Sequence, residues 1–167
     1  MVQKKKIYVI INPKSGTSAK QNIPHKIAEA FDAHKFDVHI FVTGYPGHGS
    51  EIATQAIKDK ADYVVAVGGD GTVNEVGGAL VGSDVALGII PMGSGNGLGR
   101  DLNIPTDPKK AMEIILEENI ISIDYGTVND RIFLCTCGVG FDAEVAAKVS
   151  GLSLIHISEP TRLQLIS

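Results

Sequence analysis

Positive charge, cysteine and long apolar runs are all scarce in this chain, and each scarcity removes a class of protein. Lysine and arginine number 15 against 19 aspartates and glutamates, giving a net charge of −4 and a pI near 5.7. That balance argues against a nucleic-acid footprint, so no nucleic-acid partner is expected. The basic run Lys4-Lys5-Lys6 reads as a solvated approach to a strand, because it is shorter than the clusters that hold proteins on anionic membranes. No apolar run reaches the roughly 18 residues needed to span a bilayer. The N-terminus also lacks the order of charge, apolar stretch and small-residue site that marks a signal peptide, and the expected location is the cytoplasm.

The two cysteines, Cys135 and Cys137, fall one residue apart in a β-like run over residues 132–139. Side chains at that spacing share a strand face roughly 6.5 Å apart, too far for an unstrained bridge. Reduced, buried thiols are expected, and with no histidine nearby the pair does not amount to a metal site. Two nucleotide fingerprints are missing as well. The glycines after Met92 fail G-x-G-x-x-G, whose third glycine would fall on Leu98 or Arg100, and no G-x-x-x-x-G-K-[ST] occurs.

What is present is a chain of 167 residues, 44% hydrophobic, long enough to bury a core. Apolar periodicity alternates between 2 and 3.6 along it. Strands are predicted over residues 6–11, 36–42, 63–67 and 85–90. Helices are predicted around Pro24, with Ile23, Ile27, Ala28 and Phe31 at helical spacing, and over residues 50–58, 72–81 and 107–118. Asp107 is the expected N-cap of the last of these, with Pro108 at its first position. Strands alternating with helices imply an α/β fold with a parallel, Rossmann-like sheet covered on both faces. Ligands of such sheets gather beyond the carboxyl ends of the strands. Three polar loops leave those ends, at residues 12–17, 68–74 and 93–96. From residue 120 the pattern changes to two β runs, 120–127 and 131–139, around Asn129-Asp130, a dipeptide that favours a hairpin turn.

The stretch Gly68-Gly69-Asp70-Gly71-Thr72-Val73-Asn74-Glu75-Val76 organises the rest, since a strand runs straight into it and helix formers follow. Glycines let the backbone turn and approach a ligand closely, and a helix N-terminus offers free N–H groups and the positive end of its dipole to phosphate. Asp70 is informative because a carboxylate at an anion site is repulsive unless it handles a proton or a metal ion. The alternative is that Asp70 merely caps its helix. Glu75 equally either stabilises the helix start or touches ligand.

Asn12-Pro13-Lys14-Ser15-Gly16, GGDGTVNEV, Gly93-Ser94-Gly95-Asn96 and Gly138-Val139-Gly140-Phe141-Asp142-Ala143, in that order, resemble the diacylglycerol kinase and sphingosine kinase superfamily of lipid kinases. The bacterial soluble branch looks nearest, and the similarity runs from residue 4 to about residue 150. It implies a phosphofructokinase-like ATP-binding domain over residues 1–123 and the beginning of a β-rich second domain over 124–151. It further implies that Asn12, Lys14, Ser15, Gly16, Thr43, Gly68, Gly69, Asp70, Gly71, Thr72, Asn74, Gly93, Ser94 and Asn96 hold ATP with Mg²⁺, and that the other substrate is a lipid met at a peripheral membrane surface. Lys14 would offer a point positive charge to the phosphates. Asp70 would act either as the base for the lipid hydroxyl or as a metal ligand, and the sequence does not separate the two. Asp142 corresponds to an acidic position near the lipid head group, and reads equally as a helix N-cap. NAD kinases share a GGDG turn but not the longer block.

Residues 152–162 do not resemble the family. They resemble a translated transposase-end sequence used in preparing DNA sequencing libraries, against the alternative of a natural tail in which Leu152, Leu154, Ile155 and Ile157 partly alternate. On this reading residues 152–167 are non-native and the gene continues beyond about residue 150 into the rest of the second domain. Such a chain is expected to bind ATP weakly and to turn over lipid poorly.

Overall fold

The computed structural model describes residues 4–15, 22–32 and 34–135. Spatial clustering divides the chain into Met1–Thr136 and Cys137–Ser167, and every described residue belongs to the first unit. Gly16, Cys137, Asp142 and the tail from residue 152 lie outside the described residues.

Four strands, β1 (Lys5–Ile11), β2 (Phe36–Val42), β3 (Tyr63–Gly68) and β4 (Ala86–Pro91), form one parallel sheet in the order β2-β1-β3-β4. The register pairs Ile11 with both Val42 and Val67, and Gly68 with Pro91, so all four strands end at one level. Between them run α1 (Ile23–Ala30), α2 (His48–Lys58) and α3 (Asp70–Leu80), followed by α4 (Gly97–Asp101) and α5 (Pro108–Leu116). Alternation along the strands builds two cores. Ile7, Val9 and Ile11 point to the face covered by Ile23 and Ile27 of α1 and by Ala111 and Met112 of α5. Tyr8 and Ile10 point to the other face, against Ile52, Ala53 and Ala56 of α2 and Val73, Val76 and Leu80 of α3. The α/β expectation holds: strands covered on both faces are apolar on both, as β1 is from Ile7 to Ile11 and β3 is along its length.

Several boundaries differ from the sequence pattern. Helix α2 begins two residues before the predicted Ser50, and α3 begins at Asp70 rather than Thr72, its first helical bond running from Val73 N–H to the Gly69 carbonyl at 3.0 Å. Helix α4 was not foreseen, since glycine at 97 and 99 reads as loop. Asp107 does cap α5, accepting the N–H groups of Lys109 and Lys110 at 2.9 and 3.1 Å.

Of the β run predicted over 120–127, only β5 (Gly126–Val128) forms, paired antiparallel with β6 (Arg131–Phe133). A strand needs a ladder, and no described strand lies beside residues 120–125, whose Ile120, Ile121 and Tyr125 are exposed. The turn itself is as expected, with Asn129 and Asp130 both at positive φ, 47° and 62°. Cys135 is a free thiol and exposed rather than buried, because β6 stops before it.

On β1, the Tyr8 hydroxyl donates to Asp59 Oδ2 at 2.5 Å. That bond, with burial second, pushes the Tyr8 pKa up to about 12 from the usual 10.0. A group whose pKa rises on folding contributes stability that is present below its unfolded pKa and lost above it. Stability measured by urea unfolding is therefore expected to decline between pH 10 and 12, and Tyr8→Phe should remove that part of the decline. Ile10 is 0% exposed, and Ile10→Ala is expected to cost about 2–5 kcal/mol in the same measurement at neutral pH.

Candidate functional site

The strand order reverses direction between β1 and β3, and at such a switch point the loops leaving the two strands part and open a crevice. The loop after β1 starts with Asn12, whose N–H donates to the Val67 carbonyl at 3.0 Å. Its side chain serves two segments. Oδ1 accepts the Lys14 N–H at 2.9 Å, shaping the turn, and Nδ2 donates to Thr72 Oγ1 at 3.0 Å, crossing to the first turn of α3. Ser15 closes the same turn by donating its hydroxyl to the Asn12 carbonyl at 3.0 Å. Thr72 is only 6% exposed, so this bond is largely shielded from solvent.

The loops after β3 and β4 meet backbone to backbone. A Cβ at Gly93 would lie 2.5 Å from Gly69 Cα, so a larger residue there would push the two loops apart. This close approach, rather than an unusual backbone angle, is what the motif glycines provide, since the described glycines at positive φ are Gly47 and Gly82. The left-handed residue of the second loop is Asn96, at φ 53°. Its side chain accepts from Gly93 N–H at 2.9 Å and donates to the Gly93 carbonyl at 2.7 Å, folding the loop onto itself while remaining 6% exposed.

Asp70 joins these loops. It is the first residue of α3, and its own helix is preceded by Gly69, which makes no side-chain cap. The Asp70 carboxylate instead accepts the N–H of Asn96 at 2.8 Å on one oxygen and that of Gly97 at 2.5 Å on the other. It therefore caps α4, not α3, which explains why a glycine-rich pentapeptide is helical. Further along α3, Asn74 donates to the Ile132 carbonyl at 3.2 Å and accepts from Leu134 N–H at 3.0 Å, holding β6 as a neighbouring strand would. Glu75 reaches α2, accepting from Gly49 N–H at 2.6 Å.

Between α3, α4 and the segment after β6 lies a cavity of about 450 Å³. Asp70, Gly71 and Asn74 line one side, Arg100 another, and Phe133 with Cys135 a third. Beside Gly71 the space is open. A larger hollow of about 680 Å³ follows β4 and residues 117–123. Its wall is mostly apolar and includes none of the residues singled out in the sequence, whereas helix starts and polar groups converge on the smaller one.

Thr43 stands on the same rim at the end of β2, its N–H donating to the Ile11 carbonyl at 2.9 Å. Lys14 and Ser94 are exposed. Arg100, Phe133 and Cys135 were not among the sequence-derived site residues. Arg100 follows Asn96 by one helical turn, but that signal exists only once α4 is known to be a helix, and nothing local points to residues 133 and 135. Among the described residues no three His, Cys, Asp or Glu side chains are grouped to hold a metal ion. Mg²⁺ bound to phosphates needs only one or two carboxylates, so Asp70 beside an open helix start fits a nucleotide-borne ion.

Comparison with known proteins agrees on one family. The sequence profile of the diacylglycerol kinase catalytic domain matches residues 6–128. A diacylglycerol kinase of Staphylococcus saprophyticus is 35% identical over 134 residues, 78% of this chain and 44% of that protein. One from Staphylococcus carnosus is 30% identical over 149 residues, 88% of this chain and 49% of its own. A crystal structure of a diacylglycerol kinase from Bacillus anthracis superposes with a TM-score of 0.72 at 31% identity, covering 89% of this chain and 52% of that one. The chain thus spans about half the length of the relatives it matches.

The bridge made by Asp70 is open to a direct test. An asparagine there can accept only one of the two N–H groups and faces the other with its own donor, so Asp70→Asn is expected to lower stability by about 1–3 kcal/mol. Urea unfolding checks the magnitude, and amide hydrogen exchange should quicken at Asn96 and Gly97 while β1 and β3 stay protected.

Proposed function

Since the chain belongs to the diacylglycerol kinase catalytic domain family, we propose that it is the nucleotide-binding half of an ATP-dependent lipid kinase, one that transfers the γ-phosphoryl group to a diacylglycerol or sphingoid-type hydroxyl. The observation that carries this reading is the first turn of α3. That helix starts at the switch point without a side-chain cap, beside open space at Gly71 and next to Asp70. Free amides and the positive dipole end suit a polyphosphate.

Phosphoryl transfer asks the protein mainly for positioning and charge neutralisation, with ATP supplying the group transferred and Mg²⁺ offsetting the charge of its oxygens. In this reading the open side of Gly71 lets the phosphates lie against the backbone, while Gly68 and Gly69 let the same turn pack against Thr72 and Gly93. Lys14 adds positive charge from the β1 loop, and Thr43, Ser15, Gly16 and Ser94 are the further residues proposed for the nucleotide. Asn12, Thr72 and Asn96 hold the loops at the spacing the ligand needs. Asp70 remains the residue proposed for the attacking hydroxyl's proton or for the metal, and Asp142 for the lipid head group. Arg100, from the far wall of the cavity, is suited to the charge on the transferred group.

No described helix is long and apolar enough to cross a membrane, and we place the enzyme in the cytoplasm, meeting its lipid at the membrane surface. Because the relatives are about twice as long, the remaining half of the lipid site is assigned to a second, β-rich domain beginning near residue 124.

Radiolabelled ATP offered with diacylglycerol, sphingoid base or NAD in separate reactions discriminates the readings, using this chain and the same chain extended to the length of its relatives. Label is expected in a lipid with the extended protein and weakly or not at all with residues 1–167. Asp70→Asn should reduce the extended protein's transfer to background. Label in NAD would reassign the substrate, and ATP binding without transfer to any acceptor would leave a nucleotide-binding module.

A further inference from the structure

Glu75 serves neither its own helix nor the wall of the cavity. Its Oε1 accepts the N–H groups of Gly49 and Ser50, at 2.6 and 3.3 Å, the second and third residues of α2. Helix α2 has no cap of its own, because the preceding residue is Gly47, left-handed at φ 91° and without a side chain to offer. A carboxylate from α3 supplies the cap, and negative charge at that end is favourable for the α2 dipole. The fit is tight. Gly49 is buried, and a Cβ there would lie 2.8 Å from Glu75 Oε1.

The start of α2 closes the segment that follows β2 and carries Thr43. That segment is tied at one end by Thr43 N–H to the Ile11 carbonyl, and within itself by Gly44 N–H to His48 Nδ1 at 3.1 Å. Glu75 is the bond that joins it to α3. Among α2, α3 and α4, the first amides of α2 and α4 are each met by a carboxylate from α3, whereas α3 itself begins without a side-chain cap.

We infer that Glu75 is a positioning residue for nucleotide binding. By capping α2 from α3 it fixes the Thr43 segment relative to the glycine-rich turn and fills the start of α2 with negative charge, leaving the first turn of α3 to receive phosphate. This rests on the ATP reading above.

The test compares Glu75→Ala, Glu75→Asp and Glu75→Gln in the 167-residue chain by amide hydrogen exchange and by calorimetric titration with ATP and Mg²⁺. Loss of one charge-assisted contact should weaken ATP binding about tenfold in the alanine variant, with protection lost at Gly49 and Ser50. Glutamine keeps an acceptor oxygen at the same reach but not the charge, and should recover protection at Gly49 and Ser50 more fully than ATP affinity. Aspartate, one methylene short, should behave like alanine and keeps the loss readable should the alanine variant fail to fold. Wild-type ATP affinity in the alanine and aspartate variants would overturn the positioning role even if exchange quickens. A wild-type chain that binds no ATP would remove the nucleotide reading and the ligand half of this inference with it. In that case unchanged protection at Gly49 and Ser50 in the variants would overturn the cap as well.

Discussion

The structure hangs on the polar side chains in the first turn and a half of α3. Asp70 bonds to the amides that begin α4, Thr72 to Asn12 in the loop after β1, Asn74 to the backbone around β6, and Glu75 to the amides that begin α2. Each bond satisfies a backbone or side-chain group that would otherwise be left at the end of an element, where regular structure offers no partner. The opposite face of the same helix, Val73, Val76 and Leu80, is buried against the sheet. One short helix is therefore anchored by its apolar side and used as a peg by its polar side.

That arrangement explains how loops from three parallel strands are held close together, with Asn12 and Asn96 the side chains that the loops themselves contribute. Gly69 and Gly93 meet at a distance no Cβ tolerates, and the attraction that keeps them there comes from Asp70 reaching past them to Asn96 and Gly97. The glycines let these loops touch, and the carboxylates of Asp70 and Glu75 engage the first amides of α4 and α2, leaving the start of α3 without a side-chain cap. An acidic residue in a turn proposed to bind phosphate is then less paradoxical, because two backbone donors offset much of its charge.

Much of this was legible in the sequence. The β-branched runs at 6–11 and 63–67 gave their strands within a residue, Asp107-Pro108 opened α5 with the expected cap, and Asn129-Asp130 turned the hairpin. These are local effects, set by a residue's own backbone preference or by a neighbour three or four positions away. The starts of α2 and α3 and the existence of α4 were not legible. The caps of α2 and α4 come from residues 26 positions away in the chain, and the run at 120–125 alternates like a strand but has no described partner to make it one.

By itself, then, the order of residues determined the alternating α/β plan, the glycine-rich motifs and their resemblance to lipid kinases, since hydrophobic period and motif spacing are properties of neighbours in the chain. Only the tertiary structure decided what the polar residues of the central motif are spent on. Asp70, Asn74 and Glu75 were candidates for ligand, metal or their own helix, and all three turn out to bond to backbone of other segments. Hydrogen bonds of this kind depend on which chain ends the sheet order brings to a common rim, and no pattern read along a single strand or helix contains that information.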